Sequence, residues 1–94
     1  MPYMLGRHRI KDYAQWKSVF EDHADARKAM GCKGGLILRN ADDPSEIIVF
    51  LEWESLEKAR EFPKTHDVAD AKARGGVIDE PDGWFLELVE RAPA

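Results

Sequence analysis

The sequence predicts an α+β domain, a four-stranded antiparallel sheet with its helices on one face. Three observations carry this. A helical stripe between residues 12 and 30 follows a short first strand of mixed apolar and basic residues. Two strand-like runs then flank a turn, Ala41-Asp42-Asp43-Pro44-Ser45. A second helical region closes on Gly75-Gly76 before a last apolar strand. With 94 residues there is length for one domain, residues 1–94, and not for two cores.

Each element has a local reason. Tyr3 to Ile10 reads as a strand, and Asp12 then offers an N-cap. From Asp12 to Met30 the residues Tyr13, Trp16, Phe20, His23, Arg27 and Met30 recur three or four apart, on one helical stripe. A continuous helix of that span is about 28 Å long, and Gly31 stops it. Gly35 to Asn40 and Glu46 to Trp53 form a hairpin around the Asp/Pro turn. Ser55 caps a short helix carrying Leu56, Ala59 and Phe62, which Pro63 ends or kinks. A further helix runs from about His66 to Arg74, and the last strand is Gly83 to Glu90. Right-handed crossovers fold the order β-α-β-β-α-β into the ferredoxin-like arrangement.

The sheet's second face is too apolar to meet water. Ile47, Val49, Leu51 and Trp53 alternate onto one side of their strand, leaving Ile48 and Phe50 on the other with Glu46 and Glu52. Phe85, Val89 and Ile37 are assigned to that second face, as are Arg39 and Glu87, which can pair with each other or with Arg7 and Arg9. A patch of this size calls for cover. The expected solution is a homodimer, two sheets face to face in a dimeric α/β barrel.

Composition narrows the function. Fourteen basic against 18 acidic residues give a net charge of -4, so nucleic acid is not the expected partner. The longest apolar run, Ile47 to Leu51, is far short of the roughly 20 residues that cross a bilayer, and no membrane partner is expected. Cys32 stands alone, which excludes an intramolecular disulfide and cysteine-based zinc fingers. The first residues lack a signal-peptide pattern, and the expected location is cytoplasmic.

These segments resemble the dimeric α/β-barrel superfamily, and within it the small antibiotic biosynthesis monooxygenase-like and cyclase-like proteins. The resemblance rests on Lys11-Asp12-Tyr13 leading to Trp16-Lys17, on Phe20, His23, Arg27-Lys28 and Gly31, and on Leu38 to Pro44 running on to Leu51-Glu52-Trp53. Leu56 to Arg60, Gly75-Gly76-Val77 and Trp84-Phe85-Leu86-Glu87 complete it, so that it spans nearly the whole chain. It implies a pocket between helices and sheet in each subunit. The superfamily includes quinone-forming monooxygenases without cofactors, polyketide cyclases, lactone isomerases, haem-degrading enzymes and sugar mutarotases, and fold alone does not choose among them.

Residues suited to line such a pocket are His8, Tyr13, Trp16, Phe20, Arg27, Asn40, Trp53 and Trp84, with His23 and His66 as candidate bases. His23 lies on the apolar stripe, where burial holds an imidazole neutral and able to take a proton near pH 7. The competing reading is a core histidine hydrogen-bonded to a nearby acceptor. His66 stands near a helix start, which disfavours the imidazolium; the resemblance implies a base there, and an exposed capping histidine is the alternative. His8 belongs either to the pocket or to the dimer interface. Trp16, Trp53 and Trp84 serve as core or as flat walls for an aromatic ligand. Asn40 either enters the pocket or serves the following turn.

Three histidines without HxH or HExxH spacing give no metal site, and the glycine pairs lack a phosphate-loop context. The expectation is an enzyme using no cofactor on a small aromatic or polyketide-like substrate. A histidine would abstract a proton, with Arg27, Tyr13 or Asn40 polarising a carbonyl or phenolate, and oxygenation or cyclisation would follow. The alternative is a non-catalytic ligand-binding or structural module.

Overall fold

In the computed structural model, residues 1–65 and 68–94 are described, and the His66 assignment lies outside them. The elements are β1 (Tyr3–Arg9), α1 (Tyr13–Asp22), α2 (Ala24–Ala29), β2 (Cys32–Asn40), β3 (Asp43–Trp53), α3 (Leu56–Thr65), α4 (Val68–Arg74) and β4 (Asp82–Leu86). The four strands form one antiparallel sheet in the order β2-β3-β1-β4. This is the ferredoxin-like arrangement that the element order predicts.

The long first helix is two helices. Asp12 caps α1 as expected, its carboxylate accepting from the Gln15 N–H at 2.9 Å. The helix then breaks at His23, where the backbone leaves the helical region (φ -95°, ψ 4°). The reason is local competition for carbonyls. The His23 Nδ1 lies 3.1 Å from the Val19 oxygen that its own backbone N–H would otherwise reach. That N–H turns instead to the Phe20 oxygen, 3.3 Å away. Arg27 adds a second side-chain donor, Nη1 to the Phe20 oxygen at 2.7 Å. Carbonyls at the end of α1 are thereby satisfied without a continuing helix. Gly31, at φ +105°, reverses the chain after α2, and an added Cβ would lie 2.8 Å from the Lys58 side chain.

Strand boundaries also move. β2 starts at Cys32 and β3 at Asp43, so the hairpin turn shrinks to Ala41-Asp42. Pro44 then lies within a strand. The register jumps there, from Arg39↔Ile47 to Asn40↔Asp43, so Pro44 falls at an irregularity that asks for no ladder donor. β4 ends at Leu86 rather than Glu90, because its last partner, Tyr3, is the first residue of β1. α3 continues through Pro63 to Thr65, and the Ser55 Oγ caps it by accepting from the Lys58 N–H at 3.1 Å.

Register settles which side chains share a face. Ile47, Val49, Leu51 and Trp53 are buried under the helices, joined by Ile10, Trp16, Cys32, Ala59 and Phe62. Because Met4 pairs with Leu51 and with Phe85, and Ile37 pairs with Val49, Phe85 and Ile37 lie on this inner face. Arg39 does as well: it pairs with Ile47, and its guanidinium sits 5.0 Å over the Tyr13 ring. These three correct the sequence assignment. Leu36-Ile37-Leu38 and Trp84-Phe85-Leu86 are apolar without a break, so alternation could not orient them.

The outer face carries Tyr3, Leu5, Leu36, Leu38, Ile48, Phe50, Trp84 and Leu86. Tyr3 and Phe50 stack at 4.8 Å between ring centroids. Leu36, Leu38 and Trp84 remain 57%, 46% and 49% exposed. One end of this face is polar. Arg7 and Arg9 meet Glu46, Asp43 and Asp79, and Arg7 also reaches Asp82. These are not the Glu52 and Glu87 partners that alternation suggested. Hydrogen bonds from Asn40 and Arg7 hold the Glu46 carboxyl below the usual carboxylate range.

Candidate functional site

Between the inner face and the helices lies a partly open, mainly apolar cavity of about 330 Å³. β1 contributes Met4, Gly6 and His8, α1 contributes Trp16, Val19 and Phe20, and the helix break supplies His23. Arg27, Phe62, Lys72, Val77 and Phe85 complete most of the wall. The volume falls at the lower end of the ~300–1,000 Å³ range of small-molecule sites.

His8 is the polar centre of this cavity. It pairs with Ile47 in the ladder, which turns it inward and decides between pocket and interface in favour of the pocket. Its ring lies 5.5 Å from that of Trp16. The Nε2 is buried and has no hydrogen-bond partner among the described residues. Burial pushes the imidazole below the ordinary histidine value of 6.5; Asp79 acts against that shift, and Lys72 and Arg7 act with it. An unpaired buried nitrogen costs stability unless something occupies the space beside it.

His23 also lines the cavity, though from the helix break and not from mid-helix. Facing a carbonyl, which only accepts, its Nδ1 donates there, and the Nε2 is left to meet a ligand. Arg27 reaches the same wall, its guanidinium 3.6 Å over the Phe20 ring. Burial holds this guanidinium below its usual value.

Other expected pocket residues lie elsewhere. Tyr13 is on the surface, between Trp16 and Arg39. The Asn40 amide donates to Glu46 at 3.1 Å while its oxygen accepts from the Asp42 N–H at 2.8 Å, so it serves the turn and the rim. Trp53 is fully buried in the core, 5.4 Å from the Phe62 ring. Trp84 borders the cavity, but the register directs it to the outer face. Lys72 was missed, since a lysine in a short polar helix carries no signal of facing inward. Among the described residues no cluster of three His, Cys, Asp or Glu side chains could hold a metal ion. No described helix is long and apolar enough to cross a membrane.

A four-stranded sheet roofed by broken helices, with a histidine in an apolar chamber between them, defines a ferredoxin-like class of α+β fold. Solved structures place the chain within that class. It superposes on SnoaB from Streptomyces nogalater, a cofactor-independent oxygenase, with a TM-score of 0.78 at 14% identity, covering 99% of this chain and 97% of that one. A Bordetella bronchiseptica protein named after the antibiotic biosynthesis monooxygenases gives 0.79 at 13% identity, with 95% and 97% covered. A Caulobacter crescentus protein of the same designation gives 0.74 at 20% identity, with 95% and 90% covered. No protein-family model matches the sequence, and no curated protein matches it. The chain has the antibiotic biosynthesis monooxygenase-like fold, as its sequence resemblance implies.

Proposed function

We propose that the protein is a cofactor-independent enzyme acting on a small aromatic or polyketide-like substrate, with His8 as the base and His23 as a second polar contact. The observation that carries this reading is the buried His8 Nε2, without a hydrogen-bond partner among the described residues, in an apolar chamber. A neutral imidazole there takes a proton from an acidified C–H, such as one beside a carbonyl in a phenol tautomer. The developing enolate or phenolate faces Arg27 and Lys72, both of which line the cavity. With dioxygen the carbanion forms a peroxide that collapses to a carbonyl. The CH₂ becomes C=O, one oxygen atom is incorporated, and the other leaves as water. With a second ketone in the same chain, the carbanion closes a ring.

SnoaB, described as a cofactor-independent oxygenase, supports the oxygenation outcome. The test is oxygen uptake by the purified protein with anthrones, electron-rich phenols and small poly-ketones. Uptake matched one to one by quinone is the expected result with a reactive anthrone. Cyclised product without uptake selects the ring-closing reaction instead. Thermal stabilisation by these compounds without turnover supports the non-catalytic binder and overturns the enzyme reading.

The outer face belongs to the same proposal, with a second copy covering Leu36, Leu38 and Trp84 as a homodimer. Replacing Leu36 and Leu38 together by Glu should convert the dimer to monomer in light scattering at micromolar concentration, while the far-UV spectrum persists. An unmodified protein that is already monomeric under those conditions contradicts the dimer.

A further inference from the structure

A second cavity, of about 550 Å³, lies on the other side of α2, between that helix and the edge strand β2. Its charge is one-sided. Arg27, Lys28 and Lys33 line it and no Asp or Glu does, although acidic residues outnumber basic ones 18 to 14 in the whole chain. Arg27 and Lys28 form no ion pair with a carboxylate among the described residues, and Lys33 has only Glu54, 4.0 Å away and also bound by Lys58. Arg27 is the telling case. Its guanidinium is partly buried, and among the described residues its hydrogen bond goes to a neutral carbonyl, that of Phe20. A cation withdrawn from water without a counter-ion is costly, and an anion beside it removes that cost. The rest of the cleft is apolar or bare. Ile37 and Leu51 provide greasy wall from the inner face, and Gly34 and Gly35 leave the floor without side chains. Gly35 is required there, because an added Cβ would lie 1.9 Å from the Phe50 carbonyl oxygen.

We propose that this cleft binds a monocarboxylate with a compact apolar body, the carboxylate held by Arg27 with Lys28 and Lys33, and the body against Ile37 and Leu51. The ligand is not the substrate of the His8 chamber, and the inference stands whether or not that chamber is catalytic. Octanoate is the probe, with octan-1-ol as its uncharged counterpart, in calorimetric titrations at low and moderate salt. Octanoate should bind at least roughly tenfold more tightly than octanol, and increasingly weakly as salt rises. The double variant Lys28→Glu, Lys33→Glu should weaken octanoate by about fivefold or more. The control Lys11→Glu, Lys64→Glu has the same charge change on other surfaces and should match the parent protein. All four lysines are exposed, so folding is not at stake. Equal affinity for acid and alcohol overturns the proposal. So does octanoate binding unchanged in the Lys28/Lys33 variant, or binding abolished by His8→Phe, which would move the ligand into the other chamber.

Discussion

Replacing His8 by Ala should lower turnover by a factor of about 100 or more, the contribution typical of a positioned general base. Binding should survive, because most of the cavity wall is apolar and untouched by the change. The pH dependence supplies a second signature. The imidazole must be neutral to accept a proton, and burial lowers its pKa below 6.5. Activity should therefore be at its plateau at pH 7 and fall only as the pH drops through a value lower than that of free histidine. His23→Ala should cost less turnover, since that ring is anchored to the Val19 carbonyl at the helix break. Steady-state rates of both variants across pH 4.5–8 check these statements. Full activity in the His8 variant, or an acid limb above pH 6.5, would falsify the assignment of the base.

Trp53→Ala should produce the largest loss of stability, about 3–5 kcal/mol. Domains of this kind are stable by only ~5–15 kcal/mol in total, so the variant should stand close to its unfolding midpoint under mild conditions. The cause is a fully enclosed indole, packed against Phe62 beneath the helices, whose removal leaves a void in the centre of the core. Trp53→Phe should lose much less. It keeps most of the ring volume and deletes an Nε1–H that has no acceptor among the described residues. Urea denaturation measures both, as a lowered midpoint at unchanged slope. Losses of similar size for Ala and Phe would show that the indole N–H, and not the packing, matters at this site.

The element order was legible because turn chemistry and capping are local. Asp12, Ser55, Gly31 and Gly75-Gly76 mark helix ends wherever the chain is placed. The break at His23 was not legible, because it depends on side chains competing with the backbone for the Val19 and Phe20 carbonyls. Faces were readable only where polar residues flank the run in the same parity. Glu46 and Glu52, polar on either side of the apolar run in β3, fix the parity that puts Ile47, Val49, Leu51 and Trp53 on the other face, whereas Leu36-Ile37-Leu38 and Trp84-Phe85-Leu86 needed the register to orient them. The candidate site was half visible. His8, Trp16, Phe20, His23 and Arg27 do line one chamber. Tyr13 and Trp53 share their aromatic character but sit on the surface and in the core, and sequence spacing does not report depth.

Phe20, Arg27 and Leu51 border both chambers, so a single partition stands between the two proposed guests. The guanidinium can lean toward an anion in the cleft or toward an enolate in the chamber, but it carries one charge to offer. If both proposed ligands bind, filling either compartment should alter affinity in the other, and thermodynamic linkage makes the two effects equal in size and sign. A carboxylate taken up at the sheet's edge would then act as an antagonist of chemistry at the centre.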